Sequence, residues 1–337
     1  MRARTGFGLY RRAITSNINE CFFGKTTFIK VFLKEFFIVK IFKIVILFAV
    51  AAVLVVAAVD LAATQRVPAQ TAEPAPSQEK IVTPDDAPEK AVETFSREPV
   101  GWGPGNERNE KNQTVASISE QEKYEDLGAY FIFPDDDGKI YLTFDLGYEN
   151  GYTEKILDSL KANNVKATFF VTMDYVKEAP EIVRRIIDEG HTVGNHTDRH
   201  PSMPKVDDER AKNEIVVLHD YVEENFGYTM KLFRFPMGEF SENSLNIVNE
   251  LGYKSIFWSF AYRDWLTDSQ PEPSAALKKL TDSLHGGGIF LLHAVSSTNA
   301  AIMDEFVKTA KENGYSFELI DERLSLVEKP KSNEAII

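Results

Sequence analysis

Residues 139–172 read KIYLTFDLGYENGYTEKILDSLKANNVKATFFVT. The run from Lys139 to Asp145 is strand-like and ends on a carboxylate. A polar turn follows. From Thr153, which can cap a helix, Ile156, Leu157 and Leu160 recur at the spacing of one helical face, and the helix ends near Asn163-Asn164. Val165 to Thr172 is a second apolar run. Strand, helix, strand in this order implies two parallel strands joined by a crossover.

The same alternation continues toward the C-terminus. Glu178–Glu189 reads as a helix with Ile182, Val183, Ile186 and Ile187 inward and Gly190 at its C-terminal cap, followed by a strand from His191 to His196. A long helix from Asp208 to Phe226 closes at Gly227 and leads to a strand from Met230 to Phe235. Helix Ser241–Leu251 stops at Gly252, before a strand from Tyr253 to Phe260. Helix Ala275–Leu284, strand Ile289–His293, helix Asn299–Asn313 and strand Ser316–Ile320 complete the pattern. The fold class is α/β with about seven parallel strands, and a closed or nearly closed (β/α) barrel fits at least as well as an open sheet.

Polar islands sit just after the apolar runs: Thr143-Phe144-Asp145, His196-Thr197-Asp198-Arg199-His200, Arg234-Phe235-Pro236, Asp264-Trp265 and Leu291-Leu292-His293. In a parallel α/β fold the C-terminal ends of the strands share one rim, so these islands are predicted to converge there. Two Asp, three His and one Arg on one rim suffice for metal-assisted hydrolysis with a separate base and acid.

Each island also has a structural reading. Asp145 with Arg234 is either a general base kept ionised by the guanidinium or a structural ion pair. The spacing of His196 and His200 suits a metal pair, but Pro201 disfavours helical geometry at His200 and points to a short turn. His293 is either a general acid oriented by Asp264 or a core histidine satisfied by hydrogen bonds. His191, His219 and His285 are read as structural. Of the aromatic residues Phe257, Trp258, Phe260, Tyr262 and Trp265, Phe257 belongs in the core and Trp265 is the best sugar-stacking candidate. The His285–Gly288 loop has the look of an oxyanion loop, but the chain has no G-x-S-x-G, which removes a serine hydrolase.

The N-terminus is of another character. Residues 1–43 are strongly basic, and Ile44 to Val59 runs without a charge until Asp60. A basic flank followed by an apolar run predicts a membrane segment over 44–63 with residues 1–43 cytoplasmic, either a retained anchor or a signal peptide cut near Ala62-Ala63. Residues 64–98, rich in Ala, Pro, Thr, Gln and Glu, read as a linker, residues 99–328 as the globular domain and 329–337 as a tail. The domain is expected to be extracytoplasmic. The only cysteine, Cys21, precedes the apolar run, so the rest of the chain has neither disulfide nor thiolate metal site. A net charge of −13 argues against a nucleic-acid partner.

Together, Thr143–Gly147, His196–His200, Arg234–Pro236, Asp264-Trp265 and Leu291–His293 resemble, in order and spacing, the motifs of the polysaccharide deacetylase (NodB-homology, carbohydrate esterase family 4) family. The longer string from Thr143 to Thr153, with Gly101-Trp102-Gly103, Lys111-Asn112 and Phe257-Trp258-Ser259, is similar to the muramic-lactam deacetylases of spore formers. The resemblance spans about residues 99–325 and implies a distorted (β/α) barrel that removes N-acetyl groups from cell-wall amino sugars. It implies muramic acid of peptidoglycan as substrate, and N-acetylglucosamine or chitin-type glycans as the alternative. It carries over Asp145 as base, Arg234 and Asp264 as its and the acid's partners, His293 as acid, His196 and His200 as ligands of a divalent metal such as Zn²⁺, and Tyr148, Trp265, Phe235 and Pro236 as substrate contacts. Backbone N–H groups near the Arg234–Pro236 turn are expected to stabilise the oxyanion. One position departs: Leu146 stands where the family usually places a carboxylate ligand, so the metal should be held more weakly, with Asp198 or Glu149 as candidate replacements. Leu146 is also what favours a rival reading, a metal-free glycan-binding pseudoenzyme.

Overall fold

The computed structural model describes residues 94–327. The predicted leader, membrane segment and tail, and most of the linker, lie outside the described residues. Among the described residues no helix is long and apolar enough to cross a membrane.

The elements follow in the order β1 (Val100–Gly101), α1 (Val115–Tyr124), β2 (Ala129–Tyr130), β3 (Lys139–Leu146), α2 (Thr153–Ala162), β4 (Thr168–Val171), α3 (Met173–Glu178), α4 (Pro180–Asp188), β5 (Thr192–Asn195), α5 (Asp208–Phe226), β6 (Leu232–Phe233) and β7 (Glu239–Phe240). Then come α6 (Glu242–Glu250), β8 (Lys254–Ile256), β9 (Phe260–Ala261), α7 (Pro273–Asp282), β10 (Gly288–His293), α8 (Ser297–Glu312), β11 (Ser316–Phe317) and α9 (Ile320–Val327). One nine-stranded sheet has the order β2-β8-β6-β5-β4-β3-β10-β9, with β11 against the start of β3, and its pairings are parallel. Separately, β1 pairs antiparallel with β7. The central strand β3 is buried along nearly its whole length, as expected of a parallel strand covered on both faces.

The predicted strand Tyr253–Phe260 is instead two strands near opposite ends of the sheet order, β8 and β9. This split, with β2 ahead of the first predicted strand, raises the expected seven strands to nine. It also dictates the shape. Six strand-to-strand steps in a flat sheet would separate β8 from β9 by about 29 Å, whereas Ile256 and Phe260 are four residues apart and can span at most about 14 Å. The sheet must therefore curl. Phe257-Trp258-Ser259 bridges the gap: Phe257 N–H donates to Tyr130 O on one side and Ser259 N–H to Ile289 O on the other. The strand C-termini thereby face one enclosed rim.

Residues 94–138 pack on this curled sheet. Trp102 N–H donates to Gly238 O and its indole Nε1–H to Trp258 O, 3.0 Å away. Asn112 Nδ2 donates to the carbonyls of Asp282 and Leu284. The described residues include the end of the predicted linker, where Asn243 N–H donates to Ser96 O and Arg97 forms a paired contact with Asp208.

Helix α5 has the predicted ends. Asp207 accepts from Arg210 N–H at its start, and Gly227 takes the left-handed conformation (φ 64°) at its close. The predicted helix Glu178–Glu189 is α4, which starts two residues later at Pro180; a short helix the sequence reading did not have, α3, precedes it and ends before Ala179 and Pro180. Thr153 is the first residue inside α2 rather than its cap, and its hydroxyl donates to Glu149.

Candidate active site

β3 and β10 are neighbours, and their parallel register places His293 directly across from Asp145. His196 follows β5, its N–H donating to Val171 O, and Arg234 follows β6, its N–H donating to Asn195 O. The strand ends thus deliver Asp145, His196, Arg234 and His293 to one rim.

Arg234 is fully buried and each of its three side-chain nitrogens donates: Nη1 to Asp145 Oδ1 (2.8 Å) and Thr143 Oγ1 (2.8 Å), Nε to Ile256 O and Nη2 to Phe257 O. The Phe257–Ser259 bridge across the curled sheet therefore also holds the cation that faces Asp145. Burial pushes the Asp145 carboxyl up, but Arg234, then His196 and His293, outweigh it and keep its pKa below the usual carboxylate value. The guanidinium lies over the Phe170 ring, 4.2 Å from its centroid. That ring needs Gly194 beneath it: a Cβ there would sit 2.4 Å from Phe170 Cδ1 and 3.2 Å from Leu232 O. Gly194→Ala is therefore expected to destabilise the protein by about 1–3 kcal/mol, read as a lower denaturant midpoint.

His196 donates its Nδ1–H to Arg234 O (2.8 Å), leaving the Nε2 lone pair 3.6 Å from Asp145 Oδ2. Its ring and that of His200 are 4.8 Å apart, nearly perpendicular. Burial drives His196 down to about 4 despite the pull of Asp145, and lowers His200 as well, so both imidazoles are neutral near pH 7. The stretch between them is a short non-helical turn, as Pro201 foretells, and it is strained. Thr197 (φ 73°) and His200 (φ 54°) are left-handed, a costly state for a β-branched residue. The buried Asn195 holds the turn by accepting from Thr197 N–H, and Thr197 Oγ1 accepts from His200 N–H.

Two neutral imidazoles, one fixed by a backbone carbonyl, suit a divalent metal as far as they go. Among the described residues no group of three His, Cys, Asp or Glu is placed to hold an ion. Leu146 is fully buried and does not line the cleft. The suggested replacement ligands do not serve. Glu149 accepts from Gly151 N–H, Tyr152 N–H, Thr153 Oγ1 and the Tyr175 hydroxyl, which makes it the organiser of the loop after β3. Asp198 faces Arg199. The protein donors thus fit a weakly held ion, short of the three ligands common at catalytic zinc.

Opposite, His293 donates its Nδ1–H to Asp264 Oδ1 (2.8 Å) and its backbone N–H to Asp264 Oδ2 (2.8 Å). Burial disfavours charge on this ring, but the Asp264 hydrogen bond and the charges of Asp264 and Asp145 overcome it and raise its pKa. Nε2 is left as the ring nitrogen available to the cleft.

These groups line a cleft of about 480 Å³ whose walls include Tyr148, Phe235, Met237, Gly238, Trp258, Trp265, Leu291 and Val295. Tyr148 (47% exposed) and Trp265 (46%) stand at its mouth, Trp265 5.4 Å from the His293 ring between centroids. Phe235 lies at the floor and is almost wholly buried. Pro236 is not among the lining residues, which corrects its expected substrate contact; having no N–H, it cannot serve as an oxyanion donor either. Phe257 is in the core, stacked on Phe131 at 4.3 Å. His191, His219 and His285 lie away from the cleft, bonded to Ala167 N–H, the Tyr253 hydroxyl and the Ser259 hydroxyl. Sequence reasoning missed Trp258, Met237, Gly238 and Val295 as walls. Only Trp258 carried a signal, within the aromatic run.

Comparison with known proteins agrees with this geometry. The polysaccharide deacetylase family model matches residues 134–256. An uncharacterized 30.6 kDa protein of Geobacillus stearothermophilus is 42% identical over 229 residues, covering 67% of this chain and 86% of that protein. The peptidoglycan-N-acetylmuramic acid deacetylase PdaA of Bacillus subtilis is 37% identical over 234 residues, covering 68% and 88%. The solved structure of B. subtilis PdaA, a family 4 carbohydrate esterase, superposes with a TM-score of 0.66 at 35% identity, over 69% of this chain and all (100%) of that one. The curled parallel sheet and the relatives lead to one conclusion: this chain belongs to the polysaccharide deacetylase family, carbohydrate esterase family 4.

Proposed function

We propose that this protein hydrolyses the N-acetyl group of cell-wall amino sugars, with N-acetylmuramic acid of peptidoglycan as substrate. The observation that carries the reading is the register of β3 and β10, which sets a carboxylate whose pKa is lowered and an imidazole whose pKa is raised face to face in one cleft. The activity printed for PdaA supports the choice of sugar.

Water attacks the acetyl carbonyl carbon while Asp145 Oδ2 takes its proton. Arg234 keeps Asp145 ionised and fixes Oδ1, leaving Oδ2 toward His196 and the cleft. The oxyanion of the tetrahedral intermediate is met by backbone N–H groups of the Phe235–Met237 turn. His293 Nε2–H protonates the leaving nitrogen, the C–N bond breaks, and acetate and a free amine result. In peptide-free muramic acid that amine can close on the lactyl carboxylate as a lactam. A divalent metal such as Zn²⁺, when bound by His196 and His200, would supply Lewis-acid polarisation of the carbonyl. Trp265 and Tyr148 offer flat faces to sugar rings.

Activity requires Asp145 ionised and His293 protonated together. The acid limb of kcat/KM should therefore fall below about pH 3.9 and the alkaline limb above about pH 6.5, the ordinary values of the two side chains. A pH–rate profile of acetate release checks both limbs. The basic, then apolar N-terminus supports an extracytoplasmic enzyme, anchored or secreted, that works on peptidoglycan strands.

The substrate is tested by assaying the protein on glycan strands with stem peptides, on strands stripped of them, and on N-acetylglucosamine oligomers. Fastest acetate release from the stripped strands is expected. Faster release from the oligomers would move the reading to a glucosamine or chitin-type deacetylase.

A further inference from the structure

We propose that Asn299 is a positioning residue for the acid: its carboxamide locks Asp264, and through Asp264 the His293 ring, in the orientation that proton delivery needs. The inference rests on the deacetylase reading of the cleft.

Asn299 is fully buried in the first turn of α8, where its backbone N–H is fixed by the Ser296 hydroxyl. Its Nδ2 donates to Asp264 Oδ2 at 2.6 Å and to His293 O at 3.1 Å. One amide thus touches both the carboxylate and the backbone of the histidine it orients. Asp264 Oδ2 also accepts the His293 backbone N–H, while Oδ1 accepts the ring Nδ1–H. Both oxygens of this buried carboxylate are therefore engaged, and among the described residues Asn299 supplies the one side-chain donor that comes from outside the Asp264–His293 pair. A buried carboxylate with too few donors tends to protonate or to turn toward other partners, and either change would release the ring.

The amide can point only one way. Its Oδ1 accepts from the Tyr262 hydroxyl. Burial, then the Asp264 charge, pushes the Tyr262 pKa up, so that hydroxyl keeps its proton. A flipped amide would set its oxygen against the Asp264 carboxylate, two acceptors face to face. Neither Asn299 nor Tyr262 lines the cleft, so neither is expected to touch the sugar.

Two variants and two readouts test this in the intact protein. Asn299→Leu keeps the size and removes both ends of the amide; Tyr262→Phe removes only the hydroxyl that orients it. Asn299→Leu should lower kcat by about 10- to 100-fold, the scale of small misplacements at a reacting group, with KM changed less than about twofold. Tyr262→Phe should lower kcat in the same direction by less. Independently of turnover, the proton NMR spectrum of the wild type should contain a far-downfield imidazole N–H signal, assigned by its loss in His293→Gln. That signal should broaden or move upfield in folded Asn299→Leu. A folded Asn299→Leu protein with wild-type kcat and an unmoved signal would overturn the proposal, as would a loss confined to KM. A wild type that releases no acetate would count against the deacetylase reading instead, and the spectrum would still decide the role of Asn299.

Discussion

Asp145→Asn is expected to lower kcat for acetate release by about 10³-fold, within the range general bases contribute. Asparagine keeps the shape of the side chain and an oxygen for Arg234 Nη1, but it cannot take a proton from water. It also leaves Arg234, fully buried, without its countercharge. Removing one partner of a buried pair costs about 3–5 kcal/mol, so the rate must be compared per folded molecule, with folding followed by circular dichroism. Near wild-type turnover in the folded variant would remove Asp145 as base and leave the Asp145–Arg234 contact as a structural ion pair.

The second large effect is expected at Asp264. Two donors converge on Oδ2, the His293 backbone N–H and Asn299 Nδ2, and one on Oδ1, the ring Nδ1–H. In Asp264→Asn the amide oxygen must take the place of Oδ2, which turns the NH₂ group toward Nδ1 of His293. That nitrogen then has to accept rather than donate, and the ring cannot easily carry its second proton. The Asp264 hydrogen bond and charge that raise the His293 pKa are both lost, only the Asp145 charge is left to oppose burial, and the pKa falls. A fall in kcat of about 10³- to 10⁴-fold is expected at neutral pH, as for other imidazoles put in the wrong tautomer. The alkaline limb of the pH–rate profile should move to lower pH. An unshifted alkaline limb would show that another group gives the proton.

Much of this site was legible because strand ends are legible. An apolar run that stops on Asp145, His196, Arg234 or His293 tells where the chain leaves the sheet, and parallel topology sends all such ends to one rim. Helix ends were legible where local chemistry sets them, as at Asp207 and Gly227 for α5. Pro201 foretold the non-helical turn at His200. The split of Tyr253–Phe260 was not legible, because the run is apolar throughout and nothing in it marks a crossing from one end of the sheet to the other. That crossing depends on hydrogen bonds to Tyr130 and Ile289, both far away in sequence. Glu149 and Asp198 looked like ligands because a carboxylate near a metal motif reads as a donor; their actual partners are a neighbouring loop and Arg199. Asn299 carried no signal, since an asparagine near a helix start reads as local capping.

The cleft also weighs against a binding-only role. A module that merely holds glycan has no need of a carboxylate whose pKa is lowered against burial across from an imidazole whose pKa is raised against burial. Leu146 removes a metal donor and leaves this pair untouched.

The most direct measurement counts acetate and new primary amine in the same reaction, with wild-type protein, peptide-free peptidoglycan glycan and Zn²⁺ supplied. Acetate equal to the new primary amine plus any muramic lactam formed from it, growing with time and enzyme concentration, is what a hydrolytic pair at residues 145 and 293 must give. Glycan retained by the protein with neither product formed would contradict it and leave a sugar-binding domain in the shape of an enzyme.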